Sequence, residues 1–193
     1  MGLNPKLLII DNHDSFTFNL VESCRRSGGY EIDVAFPEQV SQKTWEEADR
    51  VILSPGPGLP KESKGLLHML SSFLDLKPVF GICLGMQALA VITGNSLIQM
   101  SNPKHGYASH IRNYDKSDLL YKNVKCPIKV GRYHSWQINQ DSLNDVWVPT
   151  AYTNSNVLMS MSHSKLPVWA VQYHPESYIT EQGDRIIDNF LSF

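Results

Sequence analysis

No stretch of these 193 residues approaches the ~18 continuous apolar residues of a membrane-spanning helix, so a membrane span is not expected. Cysteine is scarce. Cys24, Cys83 and Cys126 are an odd number without metal-type spacing, which argues against a disulfide framework and a structural zinc. Neither sign of charge prevails: 17 Lys and Arg face 19 Asp and Glu. No block of like charge marks a nucleic-acid or anionic-membrane surface. Repeats, low-complexity tracts and linkers are also missing, so residues 1–193 are read as a single domain. The apolar run Leu7 to Ile10 is too short for a secretory core and lacks a cleavage site. Gly2 follows the initiator Met, but Pro5 and Lys6 stand where a myristoylation signal ends in Ser or Thr. The expected compartment is the cytoplasm. What the chain does have is apolar content of 42% and charge of 19%, the balance of an ordinary folded protein.

In the first half, short apolar runs alternate with helical patterns. Lys6 to Ile10, Ile32 to Ala35, Arg50 to Leu53 and Val79 to Ile82 read as strands. A helix capped by Asp14 or Ser15 carries Phe18, Val21 and Cys24 at helical spacing and ends at Gly28 and Gly29. Further helices are expected at Lys64 to Leu74 and Leu84 to Ile92. Such alternation predicts an α/β fold with a doubly wound, mostly parallel sheet between helices. From Asn95 to about Ser162 the texture changes to segments such as Ile128 to Tyr133, Trp147 to Tyr152 and Val157 to Met161, read as a smaller antiparallel sheet. Val168 to Tyr173 is again a buried strand, and Glu181 to Leu191 a terminal helix with Ile186, Ile187 and Phe190 on one side.

Gly81-Ile82-Cys83-Leu84-Gly85 has the form of a nucleophile elbow, and it falls at a predicted strand-to-helix junction. Such a turn is strained and tightly packed, which explains glycine two residues to either side. It presents the thiol at its tip. The N–H of Leu84 opens the helix and points where a tetrahedral oxyanion forms, while the positive helix end favours negative charge nearby. The bland alternative, a small buried hydrophobe, suits most free cysteines. It is kept for Cys24 and Cys126, which have no such setting.

A cysteine nucleophile needs a base, and the leaving group an acid. His174 follows the strand Val168 to Tyr173, at a strand end where catalytic groups of parallel sheets collect. Pro175 is expected to hold the segment extended, with His174 and Glu176 on the same side. Glu176 then orients the imidazole as the third member of a triad. Taken alone, His-Pro-Glu would be a polar turn; the elbow tips the reading. His13, His68, His110 and His163 have no partner pattern, whereas His105 and His134 stand in Gly-containing segments that could border a pocket.

Ser54-Pro55-Gly56-Pro57-Gly58 interrupts a strand with backbone able to approach a ligand closely. Leu59-Pro60 replaces the Lys-Ser/Thr of a phosphate loop, so nucleotide binding is not expected. Gly56 N–H is the candidate second oxyanion donor, and a plain turn the alternative.

The segments Asp11 to Thr17, Leu53 to Gly58, Gly81 to Ala88, His105-Gly106, Arg132 to Ser135 and Gln172 to Ser177 together resemble the class I, triad-type glutamine amidotransferases. More narrowly they resemble the glutaminase subunits of anthranilate synthase and aminodeoxychorismate synthase. The resemblance covers essentially the whole chain. It implies that Cys83, His174 and Glu176 hydrolyse L-glutamine to glutamate, with Gly56 and Leu84 as the oxyanion hole. Gly56, Pro57, Gly58, Leu84, Gln87, Ser135 and Trp136 would bind glutamine. Ammonia would pass to a chorismate-binding synthase subunit that holds Mg²⁺, no cofactor being expected in this chain. The Asp11 to Thr17 segment and the His105 loop would lie near that partner. Met86, Trp136 and Tyr107-Ala108 depart from the usual pattern without touching the triad. Rival readings are glutamine hydrolysis for another acceptor, an inactive regulatory role, and a cysteine hydrolase of a different amide.

Overall fold

The computed structural model describes residues 4–74 and 77–193; Gly2 lies outside this range. The elements in chain order are β1 (Lys6–Ile10), α1 (Thr17–Ser27), β2 (Glu31–Ala35), α2 (Gln42–Glu47), β3 (Arg50–Leu53), α3 (Leu66–Phe73), β4 (Val79–Ile82) and α4 (Leu84–Ile92). There follow β5 (Leu97–Tyr114), β6 (Ile128–Ile138), β7 (Trp147–Thr153), β8 (Leu158–His163), β9 (Val168–Val171) and α5 (Gly183–Leu191).

Strand periodicity accounts for the layering. Along β1, Leu7 and Ile9 point to one face, where they meet Leu20, Val21 and Cys24 of α1 and Ile186, Ile187 and Phe190 of α5. Leu8 and Ile10 point to the other, against Trp45 of α2, Leu66, Met69 and Leu70 of α3, and Leu89 of α4. Both faces are covered, which is why these strands read as unbroken apolar runs. Each fully buried Leu or Ile adds roughly 1.5–3 kcal/mol relative to exposure, so this double core dominates the stability of the parallel half. The edge strand β2 is the exception, with Glu31 exposed and Val34 48% exposed.

The expected α/β class is found, with one refinement of its sheet. The described strands form one sheet in the order β2-β1-β3-β4-β9-β8-β7-β5-β6. Pairings from β2 to β9 are parallel, and those from β9 through β8, β7, β5 and β6 are antiparallel. The antiparallel part is therefore continuous with the parallel part, joined where β8 pairs with β9, and not a second sheet. Its longest strand, β5, was not anticipated, because most of its residues up to His110 are exposed and no apolar alternation marks it. Two register shifts against β6 accommodate its irregular stretches. The short helix α2 was missed for a related reason: it buries only Trp45, so it has no periodicity, although Ser41 caps it by accepting from Thr44 N at 3.1 Å.

The start of α1 also differs from expectation. Phe16 takes the cap position without a side-chain cap bond. Asp14 lies further out and accepts from Phe16 N at 2.7 Å, while Asp11 accepts from Thr17 Oγ1 at 2.8 Å. These carboxylates order the β1–α1 connection beside the site.

Candidate active site

Strand β4 passes directly into α4 at Cys83, whose backbone has φ 51° and ψ −100°. A non-glycine residue at positive φ is strained and persists only where surrounding structure overdetermines it. Here the packing does so. A Cβ on Gly81 would lie 2.7 Å from Leu89 Cδ1, and one on Gly85 2.7 Å from both Cβ and O of Leu53. Cys83 N donates to Val171 O at 2.8 Å, tying the elbow to the end of β9.

The loop after β3 is clamped from β1. Asn12, 2% exposed, donates from its backbone N to Ser54 Oγ and from Nδ2 to Ser54 O, each at 2.9 Å. Ser63 Oγ donates to Asn12 Oδ1 at 3.1 Å. Gly56 then lies against the elbow, where an added Cβ would fall 2.5 Å from Leu84 Cδ2. Only glycine permits that approach, which sets the Gly56 backbone beside Leu84 and Asn12.

Beyond β9, His174 N donates to Gly131 O at 3.0 Å and Thr180 Oγ1 to His174 O at 2.5 Å. The segment is not extended as the Pro175 argument expected. Ser177 N donates to His174 O at 3.2 Å, closing a turn with Pro175 and Glu176 at its centre. Proline favours that second turn position as readily as extended backbone. The turn still sets the two side chains side by side: His174 Nδ1 and Glu176 Oε1 are 2.7 Å apart, with both residues buried. Phe16 and Tyr133 cover the imidazole, their ring centroids 5.3 and 4.8 Å away.

Burial disfavours the His174 imidazolium, but the Glu176 carboxylate, followed by the Cys83 sulfur, outweighs that and holds the group well above 6.5. Nε2 has no hydrogen-bond partner of normal geometry among the described residues. The influence of Cys83 on the imidazole is therefore mainly one of charge. By contrast, Cys24 is buried in the core and pushed up to about 12 by desolvation, as its bland reading expected. Cys126 is exposed, not core filler.

A cavity of about 380 Å³ opens over the elbow, lined by Gly56, Pro57, Gly58, Cys83, Leu84, Gln87, Ser135 and Trp136. Its size is at the lower end for small-molecule sites. Every residue expected to bind substrate lies here; His174 and Glu176 do not line the cavity, and His174 is close enough to Cys83 to feel its sulfur. Asp14, His105, Tyr133 and His134 also line it. Sequence reasoning left His105 and His134 open and passed over Asp14 and Tyr133 as pocket residues. His105 Nε2 lies 3.0 Å from Ser135 Oγ, and Tyr133 hydroxyl 3.0 Å from Ser177 Oγ. His134 is buried and pushed down to about 3, first by desolvation and then by Arg132. Among the described residues no cluster of three or more His, Cys, Asp or Glu could hold a metal ion, and no helix is long and apolar enough to cross a membrane.

A buried cysteine thus stands at a strained strand-to-helix turn on an α/β sheet, with a buried histidine–glutamate pair close by. Residues 8–192 match the family described as glutamine amidotransferase class-I. The chain belongs to that family. A Haemophilus influenzae protein assigned as anthranilate synthase component II is 36% identical over 97% of this chain and 96% of its own length. The aminodeoxychorismate/anthranilate synthase component 2 of Bacillus subtilis is 34% identical over 96% and 95%. In fold, the chain is similar to a Thermoplasma acidophilum protein assigned to GMP synthase, with a TM-score of 0.89 at 22% identity, covering 100% of this chain and 94% of that one.

Proposed function

We propose that this glutamine amidotransferase is the glutaminase subunit of a chorismate-using synthase, with Cys83, His174 and Glu176 as its triad. The observation that carries the catalytic assignment is the 2.7 Å His174–Glu176 pair close to Cys83, a cysteine held at φ 51°. Cys83 sulfur attacks the side-chain carbonyl carbon of L-glutamine, and the oxyanion is held by N–H groups of Leu84 and Gly56. His174, charged by the thiol proton and stabilised by Glu176, gives that proton to the departing nitrogen. Ammonia leaves and a glutamyl thioester remains. Water, deprotonated by His174, hydrolyses the thioester to glutamate and frees the thiol. Gln87, Ser135, Trp136, Pro57 and Gly58 hold the amino-acid end of the substrate in the cavity.

No step requires a metal or cofactor from this chain; Mg²⁺ and chorismate belong to the partner in this reading. The relatives named as synthase components support that destination for ammonia. Phe18, Tyr107 and Tyr178 are exposed, at 79%, 52% and 92%, with Tyr107 two residues from pocket-lining His105, and suit a docking face. The test is glutamate release by the purified chain, alone and with candidate chorismate-using synthase subunits. Stimulation by one of them is expected, and stimulation by none sinks the chorismate assignment.

A further inference from the structure

A series of buried hydrogen bonds runs from the antiparallel half to the nucleophile, and chemistry fixes the direction of each. Arg132, 2% exposed, can only donate. Its Nε lies 3.0 Å from His134 Nε2, so that nitrogen accepts and Nδ1 carries the proton. Nδ1 donates to Trp136 O at 2.8 Å. Gln87 Nε2 donates to the same carbonyl at 2.9 Å. Because a carbonyl only accepts, this contact settles which end of the Gln87 amide is nitrogen. The second hydrogen on that nitrogen reaches Gln172 Oε1 at 3.1 Å. Gln172 Nε2 is left 3.5 Å from Cys83 Sγ. An N–H aimed at sulfur follows from the donor-only guanidinium at one end and the acceptor-only carbonyl in the middle.

We propose that Gln172 is a positioning residue for the nucleophile: its side-chain amide donates to the Cys83 sulfur, steadies it at the elbow tip and favours the thiolate. Gln87, the Trp136 carbonyl, His134 and Arg132 hold that amide in its one productive orientation. Several observations agree. Gln172 is 1% exposed at the end of an apolar strand, where an amide is costly unless both its ends are used. Both are. Its backbone N donates to Met159 O at 2.9 Å, and the preceding carbonyl, Val171 O, receives Cys83 N. One strand end thus fixes backbone and sulfur together. A hydrogen bond to an ionised acceptor is about twice as strong as one between neutral groups, so the amide favours the charged, attacking form. His134 has to stay neutral for the series to run, in keeping with its burial beside Arg132.

The inference rests on Cys83 being the nucleophile, and the experiment separates the two claims. The full chain is treated with iodoacetamide across a pH series while alkylation of Cys83 and glutamate release are followed, for the wild type, Gln172→Glu and Gln172→Met. Gln172→Glu keeps an acceptor for Gln87 but removes the donor to sulfur. Gln172→Met keeps the length without either. The titratable groups around Cys83 are Asp14, His105, Tyr133 and His134 of the pocket lining and the His174–Glu176 pair, and none is altered. Both variants are expected to move the midpoint of alkylation to higher pH. Each should lower kcat about tenfold or more, with a smaller change in KM, and Gln172→Glu should be the worse. If one variant fails to fold cooperatively, the other decides the matter. A folded variant with an unchanged alkylation midpoint overturns the proposal even where kcat falls, since a merely structural role would do that. Wild-type enzyme that keeps its glutaminase activity after Cys83 is alkylated overturns the nucleophile reading instead.

Discussion

The two halves of the single sheet divide the work differently. The parallel half, from β2 to β9, is buried on both faces except at its edge strand β2, and it holds Cys83, Leu84 and Gly56, with His174 and Glu176 just beyond β9. The antiparallel half, β8 to β6, has an exposed long strand in β5 and supplies a pocket wall through His105, Ser135 and Trp136. The elbow thus sits in the most deeply buried part of the sheet, while the pocket is closed from the antiparallel side. The Tyr107-Ala108 departure falls in the antiparallel half, on β5. The series through Gln87 and Gln172 is where the halves meet.

The comparison predicts that substitutions in the parallel half cost more. Cys83→Ala is expected to lower glutamine-dependent synthesis by on the order of 10⁴-fold or more, while synthesis from added ammonia persists in the reconstituted complex. Loss of both activities would mean Cys83 holds the fold together instead. Gly85→Ala places a methyl against Leu53 in the centre of the sheet and is expected to destabilise the chain by roughly 2–4 kcal/mol in chemical denaturation. A change below about 1 kcal/mol would show that the elbow is less tightly held than its geometry states.

In the antiparallel half the expected effect is conditional on pH. His134 is lowered to about 3 by burial and Arg132, so the unfolded chain takes up a proton there before the native one does. Its contribution to stability is complete above 6.5 and lost as pH falls towards 3. His174 has the opposite sign: raised, it favours the native state below 6.5 and loses that contribution as pH climbs through its folded value. Between about pH 6.5 and pH 4, wild type should lose some 2–3 kcal/mol more than His134→Gln. Parallel denaturation profiles for the two would contradict the neutral, buried assignment. The smallest effect is expected at Cys126, exposed near the far end of β6. Cys126→Ser should leave glutamate release unchanged within twofold.

What could be read in advance follows the same division. The bounds of β1, β3, β4 and α4 were legible because each is an apolar run ended by glycine, proline or a polar cluster, and the elbow was legible because its glycines sit at that junction. Strand β5 was not, since a strand exposed along most of its length and shifted in register leaves no period of two to detect. His174 and Glu176 were found by spacing, although through a turn and not the extended segment expected. Asp14, Arg132, Tyr133 and Gln172 fall in segments that carried the resemblance, but nothing in the sequence marked their individual places at the site. Tyr133 and Gln172 take partners 44 to 89 residues away, Ser177, Gln87 and Cys83, and only folding reveals them.

The central claim is that a glutamyl group is carried on Cys83. The most direct test is to mix the chain with carbon-labelled glutamine and its synthase partner, quench in acid during turnover, and map the labelled peptide. Label on the peptide from β4 and α4 that contains Cys83 is the predicted result. Glutamate release with label on Cys24, on Cys126 or on no cysteine would contradict it.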